Sequence, residues 1–176
     1  MKTLVLAFIG DDEPGLVHAL AEVLSDHGGN WETSQMGCLG HLFAGTLQVS
    51  VDAERADALV EDFRGLDGML QVTVRAMSVH APEVVHETDS TFTLDIDGGD
   101  HPGIVEAIAA ALARPRVNVR RFSSCLREDA EGQRTFHVTA LLAAQADLDL
   151  DELGDDLRAL ADDLRVGLTL GLPARR

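Results

Sequence analysis

Residues 10–24 read GDDEPGLVHALAEVL, and residues 98–112 read GGDHPGIVEAIAAAL. The second stretch repeats the first at an offset of 88 positions. Working outward at that offset, residues 6–30 and 94–118 share ten identities in 25 positions without a gap, among them Gly10/Gly98, Asp12/Asp100, Pro14/Pro102, Gly15/Gly103 and Asn30/Asn118. A repeat of this length is read before anything else, because each copy must be a folding unit of its own. With two copies the chain is a duplicated domain rather than a solenoid.

Each copy carries the same order of patterns. A strand comes first, TLVLAFI (3–9) and TFTLDID (91–97). The second alternates, with Phe92, Leu94 and Ile96 on one face, whereas the first is apolar on both faces and is expected to be the more buried. After the Pro-Gly loop, Leu16, Val17, Leu20, Val23 and Leu24 form a helical stripe, repeated by Ile104, Val105, Ile108 and Leu112. The helices are predicted to end at Gly28-Gly29 and before Pro115. Strands follow from Trp31 and Val119, then hairpin turns near 38–41 and 127–134, then return strands at 42–51 and 135–143. A second amphipathic helix carries Ala56, Leu59, Val60 and Phe63, matched by Leu153, Leu157, Leu160 and Leu164. Closing strands lie at 70–79 and 166–172. The order β-α-β-β-α-β, twice, predicts an α+β chain of two ferredoxin-like (βαββαβ) domains with antiparallel sheets. The expected boundaries are 1–80 and 90–176, with 81–89 as linker.

Composition limits what such a pair can do. The chain has 176 residues, 45% hydrophobic and 4% aromatic, with a formal charge of −16. Direct nucleic-acid binding is not expected, since phosphate contacts need clustered Lys and Arg. The one cationic stretch, RPRVNVRRF (114–122), suits an acidic partner or a ligand carboxylate as well as a solvated edge. No stretch approaches the length that spans a bilayer, and the opening residues lack the pattern of a secretory signal, so a cytoplasmic protein without membrane contact is expected. The seven histidines and two cysteines show no ligand spacing, and no nucleophile–base pair or P-loop stands out. No metal, no cofactor and no enzymatic activity are expected. Cys38 and Cys125 read as small apolar core residues, although Arg120, Arg121 and Arg127 would favour a thiolate at Cys125.

The Pro-Gly loop admits two readings. As structure, Asp12 or Asp100 caps the helix, Pro14 or Pro102 sits near its first position, and Gly15 or Gly103 lets another group come close. As a site, free N–H groups at the helix start bind a carboxylate, an acidic side chain holds an ammonium, and the amide of Asn30 or Asn118, at the start of the second strand, supplies both donor and acceptor. Together these groups suit the zwitterion of an amino acid.

At these residues the sequence resembles the ACT domain family: D-x-P-G-[LI]-V after the first strand, an apolar helix, then Asn and an apolar residue at the second strand. Two such domains in one chain are most similar to the glycine cleavage system transcriptional repressor family. The resemblance implies domains that pair side by side and bind amino acids, such as glycine or serine, where the first loop meets a neighbouring domain. Carried over by position, the ligand-binding candidates are Asp12, Glu13, Gly15 and Asn30 in the first copy and Asp100, His101, Gly103 and Asn118 in the second, with Gly10 and Gly98 as close backbone. It further implies amino-acid-sensing regulation, in transcriptional control of amino-acid metabolism; the acidity of the chain argues for action through a protein partner that holds the DNA, and open sheet edges favour a homodimer. The alternative is a ligand-free assembly module of the same fold.

Overall fold

The computed structural model describes residues 1–77, 90–113, 115, 117–128, 130–144 and 148–171. The chain divides into two units, Met1–Ala81 and Pro82–Arg176. The segment 81–89 assigned as linker lies outside the described residues, as do His80, His86, Arg114 and Arg116.

The first unit runs β1 (Lys2–Asp11), α1 (Leu16–Asp26), β2 (Asn30–Leu39), β3 (Leu42–Val51), α2 (Ala56–Arg64), a 3-10 turn (Gly65–Gly68) and β4 (Gln71–Ala76). The second runs β5 (Ser90–Gly99), α3 (Ile104–Ala113), β6 (Asn118–Glu128), β7 (Arg134–Ala144), α4 (Leu150–Leu164) and β8 (Val166–Gly171). Each unit has one four-stranded sheet, ordered β2-β3-β1-β4 and β6-β7-β5-β8. All its pairings are antiparallel. This is the ferredoxin-like arrangement twice.

Local chemistry explains the element ends. α1 closes where Gly28 takes φ 63°. Its N–H donates to Ser25 and that of Gly29 to Leu24, a Schellman close that satisfies the last carbonyls. α4 opens on Asp149, whose carboxylate accepts from the N–H groups of Asp151 and Glu152, the expected N-cap geometry.

Each core is built from one face of the sheet and the inner stripes of two helices. In the first unit Leu4, Leu6 and Phe8 of β1 and Leu47 and Val49 of β3 are buried with Leu16, Leu20 and Leu24 of α1 and Leu59 and Phe63 of α2. The Phe8 and Phe43 rings stack with centroids 5.8 Å apart. In the second, Phe92, Leu94, Ile96, Ile108, Val138 and Leu157 do the same work. Each fully buried Leu or Phe contributes roughly 1.5–3 kcal/mol.

Two expectations fail here. β1 is not buried on both faces: Val5 is half-buried, Ala7 is exposed, and Ile9 remains 42% exposed. Both helices of the unit pack on one face of the sheet, so the alternate side chains of its central strand meet no second layer. Val17 and Val105 lie on the predicted stripes but are 46% and 43% exposed, because the buried set is narrower, one residue per turn at Leu16/Leu20/Leu24 and Ile104/Ile108/Leu112.

Candidate ligand site at the first strand–helix loop

β1 leaves the sheet at Asp11, and the chain turns through residues 12–15 into α1. The Asp12 N–H donates to the His41 carbonyl at 2.9 Å, which fastens the loop to the β2–β3 hairpin. α1 starts on Gly15, at φ 103°, with no side chain capping it. Asp12 therefore does not cap the helix, contrary to the expectation, and Pro14 lies one residue outside the cap. The N–H groups of the first turn are left without a side-chain acceptor, so the positive end of the helix is open.

A cavity of about 360 Å³ lies against this helix start, lined by Asp12, Glu13, Gly15, Leu16, Val17, His18, Cys38 and Phe43. Sequence reasoning reached three of these, Asp12, Glu13 and Gly15. It missed Cys38 and Phe43, which arrive from β2 and β3. Only strand register places them, through the Cys38–Phe43 and Asp11–Leu42 pairings. The Asp12 carboxylate accepts a hydrogen bond from the Cys38 thiol and, with some burial, pushes that thiol above its ordinary pKa. Both cysteines are exposed rather than core residues, because each sits on an edge strand that the helices do not fully cover.

The glycines divide by role. A Cβ on Gly15 or Gly103 would meet nothing within 4 Å, but their φ values of 103° and 97° belong to glycine. They turn the chain; they do not admit a close neighbour as expected. Gly10 and Gly98 supply the close approach. A Cβ on Gly10 would lie 2.2 Å from the Met69 carbonyl oxygen, and one on Gly98 2.6 Å from Cγ1 of Val166.

The asparagines do not join the loop. Asn30 pairs with Ser50, which pairs with Thr3, at the start of β1. Asp11 is eight residues further along that strand, so Asn30 and the loop of its own domain are roughly 26 Å apart at about 3.3 Å per residue. β2 runs parallel to β1 and begins at the end of the sheet where β1 begins, not where its loop lies. Asn118 repeats this, level with Ala143 and Thr91. Asn30 Nδ2 donates to Glu32 Oε1 at 3.0 Å and Ser50 Oγ to the same oxygen at 2.5 Å. The bond from Ser50 and then that from Asn30 hold the Glu32 carboxyl below its usual range.

In the second copy His101 replaces Glu13 and turns toward α4. Its Nε2 lies 3.0 Å from the Leu164 carbonyl and its Nδ1 3.2 Å from that of Pro102. Carbonyls only accept, so a ring that satisfies both carries two protons. Leu164 ends α4, whose last turn has no basic residue; the imidazolium serves that helix end. The Leu164 contact first, then that to Pro102, raise the His101 pKa, with Asp100 adding and desolvation opposing. A raised folded pKa stabilises fully below the unfolded value of about 6.5 and is lost as pH rises through the folded value. The Tm difference between wild type and His101→Gln is therefore expected to be larger at about pH 5.5 than at about pH 8.5. A difference independent of pH would show that the ring works by packing alone.

Among the described residues no group of three His, Cys, Asp or Glu is placed to hold a metal. No described helix is long and apolar enough to cross a membrane.

Comparison with known proteins bears on both copies. Residues 2–77 match the family model of the ACT domain. A crystal structure of a protein of unknown identity from Galdieria sulphuraria is 25% identical, with a TM-score of 0.86 over 98% of this chain and 99% of that one. A candidate glycine cleavage system transcriptional repressor is 18% identical, with a TM-score of 0.72 over 99% of this chain and 98% of that one, which shows the shared fold. No curated protein matches the chain significantly. The first domain of this chain belongs to the ACT domain family, and the second repeats that domain's strand order over residues 90–171.

Proposed function

We infer that this chain is an amino-acid-sensing regulatory protein that acts through a protein partner. The observation that carries this reading is the 360 Å³ cavity at the uncapped start of α1, rimmed by Asp12 and Glu13. The helix N–H groups suit a carboxylate and the acidic side chains an ammonium, the two charged ends of one amino acid. Glycine and serine are the first candidates, from the resemblance to the glycine cleavage repressor family. The amide that would complete the site cannot come from the same domain. A neighbouring ACT-type domain, its second strand laid antiparallel along β2, would bring the start of that strand, and its asparagine, beside this loop. The fold shared with a candidate glycine cleavage repressor supports a place in transcriptional control of amino-acid metabolism. With a charge of −16, contact with DNA would fall to the partner.

Calorimetric titration with individual amino acids, glycine and serine first, tests this. Saturable binding is expected, weakened about tenfold or more in Asp12→Ala and in Asn30→Ala, the loss of one charge-assisted or amide contact. No heat with any amino acid would sink the sensor reading. It would favour the assembly module, for which the exposed apolar Val119, Phe122 and Leu126 of edge strand β6 speak; substitution of these three by Ser would then abolish self-association or partner binding.

A further inference from the structure

A cavity of about 600 Å³ lies between α3 and α4 of the second domain, away from either strand–helix loop. Its α3 wall is Ala107, Ala110 and Ala111, its floor includes Leu153 and Leu160, and its α4 wall carries Asp149, Glu152 and Asp156. The three acids stand at i, i+3 and i+7, so they line one side of the helix. From Asp149 to Leu160 that wall rises about 16 Å, three turns of a helix. The groove is therefore small and uncharged on one side and acidic on the other.

The repeat supplies the comparison within the chain. At the 88-residue offset Ala110, Ala111 and Pro115 answer to Glu22, Val23 and His27. In the first domain Val23 packs against the core. His27 Nε2 lies 2.7 Å from Asp62 Oδ2 of α2, and the His27 carbonyl accepts from Arg55 Nη1 at 3.2 Å. The first domain thus fills and bridges the space between its helices with side chains that the second replaces by alanine and proline.

Charge decides what fits. Among the described residues neither Glu152 nor Asp156 has a cationic partner, and Arg158 turns instead to Asp155. The helices of this chain cannot supply one from a second copy: Arg64 on α2 and Arg158 on α4 are their only Lys or Arg, and each is already paired. An acidic wall also repels nucleic acid and anionic lipid. What remains is a foreign helix with an apolar stripe and a basic flank.

We propose that the α3–α4 groove docks a cationic amphipathic helix of a protein partner. Its apolar stripe sits against the alanines, Leu153 and Leu160, and its Lys or Arg flank lies along Asp149, Glu152 and Asp156. Alanine on α3 lets the partner's side chains descend between the helices, where Val23 and His27 would stop them in the first domain. This surface suits the regulatory reading above but does not depend on the amino-acid site.

The probe is a fluorescent helical peptide of about four turns with a leucine stripe and a lysine flank, titrated into the full-length protein and read by anisotropy with no amino acid present. Its twin has glutamate for every lysine. The lysine peptide is expected to bind saturably at about 0.15 M salt, and the twin not to bind. Glu152→Gln with Asp156→Asn should weaken binding about fivefold or more. Asp151→Asn with Asp162→Asn removes the same charge from α4 outside the groove and should change it less than about twofold. Ala111→Leu, which fills the groove without altering charge, should weaken it about tenfold or more. Tm values check that each variant folds. Equal losses in the two charge pairs would make the attraction one of overall acidity, and unchanged binding in Ala111→Leu would place the peptide elsewhere; either overturns the proposal, as does a lysine peptide that fails to bind. Binding that appears only after Arg175→Ser and Arg176→Ser would give the groove to this chain's own residues and overturns it too. Failure of the peptide to bind leaves the amino-acid reading to its own titration.

Discussion

Phe63→Ala is expected to destabilise the first domain by about 3–5 kcal/mol, the range for removing a buried aromatic ring, and to leave the second domain's transition in place. Phe63 is fully buried on α2. Its neighbours in the core all come from residues 4–70, and the other core is drawn from residues 92–166. At roughly 4 °C or more per kcal/mol for a domain of this size, the first transition should fall by about 12 °C or more. Phe92→Ala should do the reverse, moving the second transition and sparing the first. Differential scanning calorimetry reads both. If either substitution shifted the whole unfolding profile together, the two cores would be a single cooperative unit.

Gly10→Ala should cost more than Gly15→Ala, although both glycines stand in the same motif. At Gly10 the new methyl would meet the Met69 carbonyl oxygen at 2.2 Å and Leu70 Cδ2 at 3.0 Å. Backbone cannot turn aside as a side-chain end can, so β1 and the segment before β4 must part. A loss of about 3 kcal/mol, the upper part of the overpacking range, is expected. At Gly15 the methyl meets open space, and the cost is conformational, about 1–2 kcal/mol for an L-residue held at positive φ. Urea unfolding separates the two. Equal losses, or the reverse order, would mean that β4 yields at Met69 more easily than the loop yields at Gly15.

This pair of glycines shows where reading the residues stopped. The motif, its repeat and its place between strand and helix are plain in the chain. Which glycine serves a dihedral and which serves a neighbour is not, because Met69 lies 59 positions away and arrives only by strand pairing. The same holds for the caps. Asp12 has the chemistry of a helix cap, but its N–H is tied to His41 and the turn at Gly15 provides the helix start. His101 could be read as the counterpart of Glu13, yet its ring answers to the end of α4.

What the sequence by itself determined is the architecture. The 88-residue offset, the period-2 and period-3.6 patterns and the glycine stops suffice for eight strands and four helices in two ferredoxin-like domains, since periodicity is a local property that each segment carries with it. What only the tertiary structure decided is which of the marked residues meet. Two parallel strands start at the same end of a sheet, so Asn30 is carried away from the loop of its own domain. Register also brings Cys38 and Phe43 to that loop. Those meetings depend on pairing between distant segments, where a shift of one residue turns every side chain to the other face, and no pattern within a single segment records it.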